Sequence, residues 1–218
     1  MIRLFDYALS GNCYKVRMLL RWLSLEYETV PIDFYPGFEH RGNAFLKINP
    51  LGQLPALEDG SETIRDAQAI LVHLAANYDV GGTWYPVKEP ARLGQIQVWL
   101  AFADSITSTI SAARLHDAMF FDLDVERLRT GGVRLLRVLD EHLWFGEQEG
   151  RDWLCAGARP TIADIACFPY IALSEEGGIY LDDFPAVQRW IDRFMRLEGF
   201  EPMAGMLALP LPKLEVRA

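Results

Sequence analysis

The sequence has little that would staple, anchor or clamp it. Of 218 residues three are cysteine. Cys13, Cys155 and Cys167 are odd in number and far apart, so no disulfide framework is implied. No stretch holds the roughly 18 apolar residues needed to cross a bilayer. The start, MIRLFDYALSGN, shows neither a basic lead into a long apolar core nor a cleavage site, and the chain reads as cytoplasmic. Positive charge is scarce: 21 Lys and Arg against 30 Asp and Glu give a net charge of −9. A nucleic-acid binder needs the opposite sign or a concentrated basic face. The densest basic stretch, Arg127 to Arg137, is spaced along a helix beside Glu126 and reads as a solvated face. His73, His116 and His142 share no metal-ligand spacing, and no glycine-rich phosphate loop is present. Neither a metal nor a nucleotide cofactor is expected.

What remains is an ordinary folding composition, with 50% hydrophobic and 23% charged residues. At this length the chain makes one large domain or two small ones. Its core is big enough to stand without disulfide or metal.

The first 80 residues and the rest differ in period. IRLFDY alternates as a strand does, and Val16, Leu19, Leu20 and Leu23 then repeat at helical spacing over Asn12 to Leu23. Tyr27 to Phe34 is β-branched and aromatic and predicts a second strand. A helix near Asn43–Ile48 follows, then LPALED and ETIRD around Asp59-Gly60, a hairpin signal. Ile70, Leu71, Leu74 and Tyr78 place a helix over Ala67 to Tyr78. The order is βαβαββα, a small α/β unit over residues 1–80. Gly81, Gly82, Pro86 and Pro90 break the pattern, which puts a linker at 79–90. From Pro90 to residue 218 every period is helical, with long helices through Leu93–Ala103 and Val125–Leu143 and another over Pro185–Leu197. Gly131-Gly132 inside the second of these predicts a kink or close packing, since each glycine costs about 1 kcal/mol against alanine.

Three places carry chemistry. Asn49-Pro50-Leu51-Gly52-Gln53-Leu54-Pro55 leads a proline into an edge strand, where it removes a ladder donor. In the cis form Pro55 turns the backbone of Leu54 outward. Ser10-Gly11-Asn12-Cys13 lies where strand one meets helix one, and a helix N-terminus favours a thiolate or another anion. A plain serine N-cap accounts for Ser10 equally well. Asp66-Ala67-Gln68, the third place, opens the next helix and is again an anion-friendly terminus. Cys13 reads as a buried core thiol.

The combination resembles the cytosolic glutathione transferases over the whole chain. NPLGQLPAL is similar to that family's cis-proline motif and IRDAQAILVHLA to the segment gripping the glutamyl end of glutathione. ARPTIADIACFPY resembles its helix-capping signature, with Thr161 and Asp164 at capping-box spacing, and FPAVQRWIDRF its C-terminal helix. The resemblance implies a thioredoxin-like glutathione domain over 1–80, an all-helical domain over 90–218 that contributes the electrophile pocket, and a homodimer. It makes glutathione the co-substrate, with no metal, no membrane and no nucleic-acid partner. Ser10 matches the serine that stabilises the glutathione thiolate in hydroxyl-using classes. Asn12 resembles the asparagine of bacterial classes that favour disulfide exchange.

Leu54 would offer its backbone to the cysteinyl part, with Gln53 beside it. His40, or less directly Lys47, falls where some classes meet the glycyl carboxylate. Asp66 and Ala67 take the usual Glu-Ser places, and the missing hydroxyl of Ala67 should weaken glutathione binding about 10- to 100-fold. A thiolate-stabilising transferase acting on an electrophile is the leading expectation. A glutathione-dependent disulfide or peroxide reductase, and a non-catalytic binding protein on the same fold, are the alternatives. Trp99, Phe102, Ile106, Phe120 and Phe121 are apolar positions that core packing explains better than a substrate pocket.

Overall fold

A computed structural model describes residues 1–203. The last 15 residues of the expected helical domain lie outside the described residues.

The strands are β1 (Ile2–Asp6), β2 (Tyr27–Pro31), β3 (Ala56–Asp59) and β4 (Glu62–Arg65). They form one sheet in the order β2-β1-β3-β4. β1 runs parallel to β2, with Leu4 opposite Thr29, and antiparallel to β3, with Leu4 opposite Leu57. A parallel neighbour needs a crossover, and α1 (Gly11–Trp22) supplies it. β3 and β4 are a hairpin turned at Gly60, whose φ of +62° suits glycine. The strand expected to reach Phe34 stops at Pro31, and the helix expected to Ile48 is a single turn, α2 (Asn43–Leu46). Helix α3 (Ala67–Tyr78) matches its expected span.

Residues 79–89 carry no helix or strand. Asp79 holds them by accepting the Trp84 N–H at 2.6 Å, and the Trp84 carbonyl in turn accepts the Ile162 N–H. Pro90 then opens α4 (Pro90–Ile106) at its first turn, where a missing N–H costs nothing. A π-helical turn over Thr107–Ser111 runs into α5 (Ala112–Met119). It is followed by α6 (Val125–Gln148), α7 (Ile162–Ala172) and α8 (Pro185–Met195), two residues shorter than expected.

α7 is the axis of the molecule. Every residue from Ile162 to Ile171 is buried, and the helix packs on α1 and α3 on one side and on α4 on the other. Phe168 stacks on Phe194 of α8 with ring centroids 4.0 Å apart. The glycine pair in α6 marks close packing, and the helix runs through it unbroken: a Cβ on Gly132 would sit 2.6 Å from Ile179 Cδ1. On the other face of the sheet, Phe5, Ile32, Phe45 and Ala56 make a small second core under α2.

Candidate active site

A cavity of about 390 Å³ opens between the sheet unit and the helices α4, α5 and α7. It gathers Ser10, Asn12, Gln53, Leu54, Pro55, Asp66 and Ala67 from segments far apart in sequence. All three places singled out above border it.

Ser10 caps α1 from an extended backbone, and its Oγ accepts the Cys13 N–H at 3.2 Å. A hydroxyl that accepts from the backbone still has its own O–H to give, so capping and donation to a bound anion are compatible. Asn12 follows in the first turn, half-buried. Its N–H donates to the Tyr170 hydroxyl at 3.1 Å, and its Oδ1 accepts from Lys15 Nζ at 2.7 Å. Gly11 lies between them because only glycine fits: a Cβ there would come within 2.6 Å of the Tyr170 ring. Cys13 is fully buried, and burial pushes its thiol up to about 12, so it stays protonated and takes no part as a nucleophile.

The loop before β3 is shaped by Asn49, which donates to the Gln53 carbonyl at 2.7 Å and accepts the Leu51 N–H at 3.1 Å. Gly52, at φ +58°, brings its backbone against the His40 carbonyl. The Leu54–Pro55 bond is cis.

At the start of α3, Asp66 is the N-cap and its Oδ1 accepts the Ala69 N–H at 2.9 Å. It does so at φ +78°, a conformation that costs a non-glycine residue about 1–3 kcal/mol and is tolerated where the site requires it. Across the cavity, Asp104 of α4 accepts from Gln68 Nε2. Partial burial, and then the neighbouring Asp66 carboxylate, raise the Asp104 carboxyl above the ordinary aspartate value. Two like charges at one end make that end receptive to a cation.

Two residues expected near the glycyl carboxylate lie outside the lining. His40 does not border the cavity. It is 2% exposed, stacked on Phe34 at 4.2 Å, with Nδ1 buried and unpartnered among the described residues. Lys47 is exposed and also outside the lining. The aromatic wall comes instead from Tyr7 and Phe34; of the five apolar positions weighed for a second-substrate pocket, none lines it, Trp99 and Ile106 being core and Phe120 81% exposed.

Four lining or supporting residues escaped the sequence: Tyr170, Asp104, Arg114 and Lys15. Arg114, buried on α5, donates from Nη1 to the Leu9 carbonyl at 2.9 Å and pairs through Nε with Glu176, tying the loop before α1 to the helical half. Far from the cavity, Thr161 and Asp164 form the expected capping box at the head of α7. The histidines outside the site have separate partners: Asp59 for His73, Asp117 for His116 and the Leu154 carbonyl for His142. No helix among the described residues is long and apolar enough to cross a membrane.

Comparison with known proteins agrees with this arrangement. Residues 4–84 match the family described as glutathione S-transferase, N-terminal domain, and residues 121–198 match glutathione S-transferase, C-terminal domain. A maleylacetoacetate isomerase of Pseudomonas aeruginosa is 28% identical over 88% of this chain and 90% of that protein. The transcriptional regulator URE2 of Saccharomyces cerevisiae is 28% identical over 88% of this chain, which spans 64% of that protein. A solved structure of Ure2p in complex with glutathione is 30% identical, with a TM-score of 0.79 over 90% of this chain and 95% of that one. A glutathione S-transferase from Xanthobacter autotrophicus superposes with a TM-score of 0.81, at 28% identity, over 94% and 98%. The chain belongs to the glutathione S-transferase family.

Proposed function

We propose that the protein is a glutathione transferase whose cavity binds the tripeptide along the edge of the sheet unit and admits an electrophile from the helical side. The observation that carries this reading is the convergence on one cavity of the Ser10 hydroxyl, the Asn12 side chain and the starts of α1 and α3. The thiol sits at Ser10 and Asn12, the cysteinyl backbone at Leu54 with Gln53 beside it, and the glutamyl end at Asp66 and Ala67. Asp104 joins Asp66 against the α-amino group. The head of α3 supplies the Ala67 N–H to the glutamyl carboxylate. His40, stacked behind Phe34, supports the opposite end, that of the glycyl carboxylate.

A free thiol near pKa 8.5 is only about 3% ionised at pH 7. One hydrogen bond to the charged form, helped by the α1 dipole, lowers that value by about two units. The thiolate then attacks an electrophilic carbon: the S–C bond forms and the leaving group departs with its electron pair. Tyr7, Phe34, Leu115 and Met119 offer that second substrate an apolar wall.

The residue ranges 1–80 and 90–218 divide this labour, glutathione on the first and electrophile on the second, in a cytoplasmic homodimer for which family likeness is the support. Sedimentation tests the dimer.

Titration calorimetry of glutathione near pH 7 tests the function. A dissociation constant at or below about 1 mM supports it. Absence of heat, with no thermal shift at millimolar ligand, overturns it in favour of a binding role for another ligand. If glutathione binds but the protein turns over disulfides and no carbon electrophile, the reductase reading replaces the transferase one.

A further inference from the structure

Lys15 is fully buried, and no carboxylate among the described residues forms an ion pair with it. An ammonium in that setting is among the most unfavourable placements a fold can make, and a methionine would fill the same space without the penalty. Lys15 touches Asn12 on its own helix and the Tyr170 ring on α7, and the ionisable groups within electrostatic reach of it are Cys167 on α7, the Asp66 carboxylate at the head of α3 and Asp104 on α4. Its Nζ lies 5.3 Å from the centre of that ring. Among the described residues its one hydrogen bond goes to Asn12 Oδ1, at 2.7 Å.

An ammonium has three donors and no acceptor, so this contact fixes which end of the Asn12 amide is the oxygen. The amide is planar, and Asn12 borders the cavity. With Oδ1 held inward, the –NH2 is the end left for a ligand. Burial pushes the Lys15 ammonium down to about 8, which leaves it mainly protonated at pH 7.

We infer that Lys15 is a positioning residue: by holding Asn12 Oδ1 it presents the Asn12 –NH2 to the glutathione sulfur as a second N–H or O–H donor beside Ser10. This rests on the glutathione reading above. Without Lys15, turning the –NH2 to the sulfur leaves Asn12 Oδ1 facing inward with no donor, and that unmet acceptor opposes the donating orientation.

The test is the ultraviolet absorbance of the glutathione thiolate in the complex, followed against pH in the wild type, K15M, N12A and the double variant. K15M should cut the thiolate fraction at pH 7 about tenfold, the worth of one charge-assisted hydrogen bond. It should change the affinity for S-methylglutathione far less than the thiolate fraction, because a blocked sulfur needs no donor. In the N12A background the same substitution should change nothing further. K15Q, which keeps an N–H donor without the charge, should restore most of the thiolate.

A folded K15M with the wild-type pH profile overturns the inference, as does an equal loss in the N12A background. Should K15M not fold, the Asn12 side-chain amide resonances of the wild type decide. They should move further with glutathione than with S-methylglutathione, and equal movement overturns the inference. If the wild type binds no glutathione, the functional reading itself has failed. If it binds and ionises the thiol but K15M is indifferent, only the role of Lys15 has.

Discussion

Two helices among the described residues are capped by a hydroxyl side chain that accepts a backbone N–H, and the two caps do opposite things. At the head of α7, Thr161 Oγ1 accepts the Ala163 N–H, and Asp164 accepts N–H groups from Thr161, Leu154 and the Trp190 indole. Both residues are 0% exposed. Three donors meet one carboxylate, and nothing is left to offer a ligand. At the head of α1, Ser10 accepts a single backbone N–H and Asn12 a single ammonium, and both side chains border the cavity. The capping chemistry is shared. What separates a structural lock from a reactive site is whether the donors are all spoken for within the fold.

This contrast can be broken by exchanging the consequences. The largest effect should come from the sealed terminus. Asp164→Ala strands three buried N–H donors and should lower unfolding free energy by about 3–5 kcal/mol in denaturant titration. The folded fraction should still bind glutathione. Substitution at the open terminus should do the reverse. Ser10→Ala should cost about 1 kcal/mol of stability but lower the conjugation rate about 10- to 100-fold. Its pH profile should move upward as the thiol loses a donor, and disulfide exchange should persist through Asn12. A conjugation rate untouched by this change would make Ser10 a cap alone.

A third terminus sharpens the comparison. The head of α3 lacks the hydroxyl at position 67, and Ala67→Ser should tighten glutathione binding about tenfold by calorimetry. The smallest effect belongs to Tyr170→Phe. The ring that packs on Gly11 is kept and only the oxygen over the Asn12 N–H is lost, for about 1 kcal/mol in stability.

Much of this was legible in the sequence because it is written locally. The order βαβαββα, the hairpin at Asp59-Gly60, the proline that opens α4 and the Thr161–Asp164 box each depend on residues a few positions apart. That Ser10, Asn12, Leu54 and Asp66 border one cavity follows from the same locality: each sits at a junction whose chemistry is set by its neighbours. The residues that were missed are held by distance. Tyr170 is 158 positions from the N–H it covers, and Arg114 is 105 positions from the Leu9 carbonyl. No period or spacing connects them. His40 is the opposite case. Its place along the chain is right for the cavity, but the preceding loop, with Phe38 in a left-handed conformation, turns the imidazole under Phe34. Lys15 reads in sequence as one more polar residue on an amphipathic helix, because its solvent-facing side exists only if α7 is absent.

The Tyr170 hydroxyl on the Asn12 amide also bears on how such chains can be recombined. The site on the first half is finished by an oxygen that travels with the second. An engineer who grafts a new helical half at residues 79–89 to change which electrophile is accepted would also replace the lid on α1. Such chimaeras should keep the Asn12 N–H paired only when the incoming half brings a hydroxyl to that place, and should otherwise lose about 1 kcal/mol of stability while keeping their thiol chemistry.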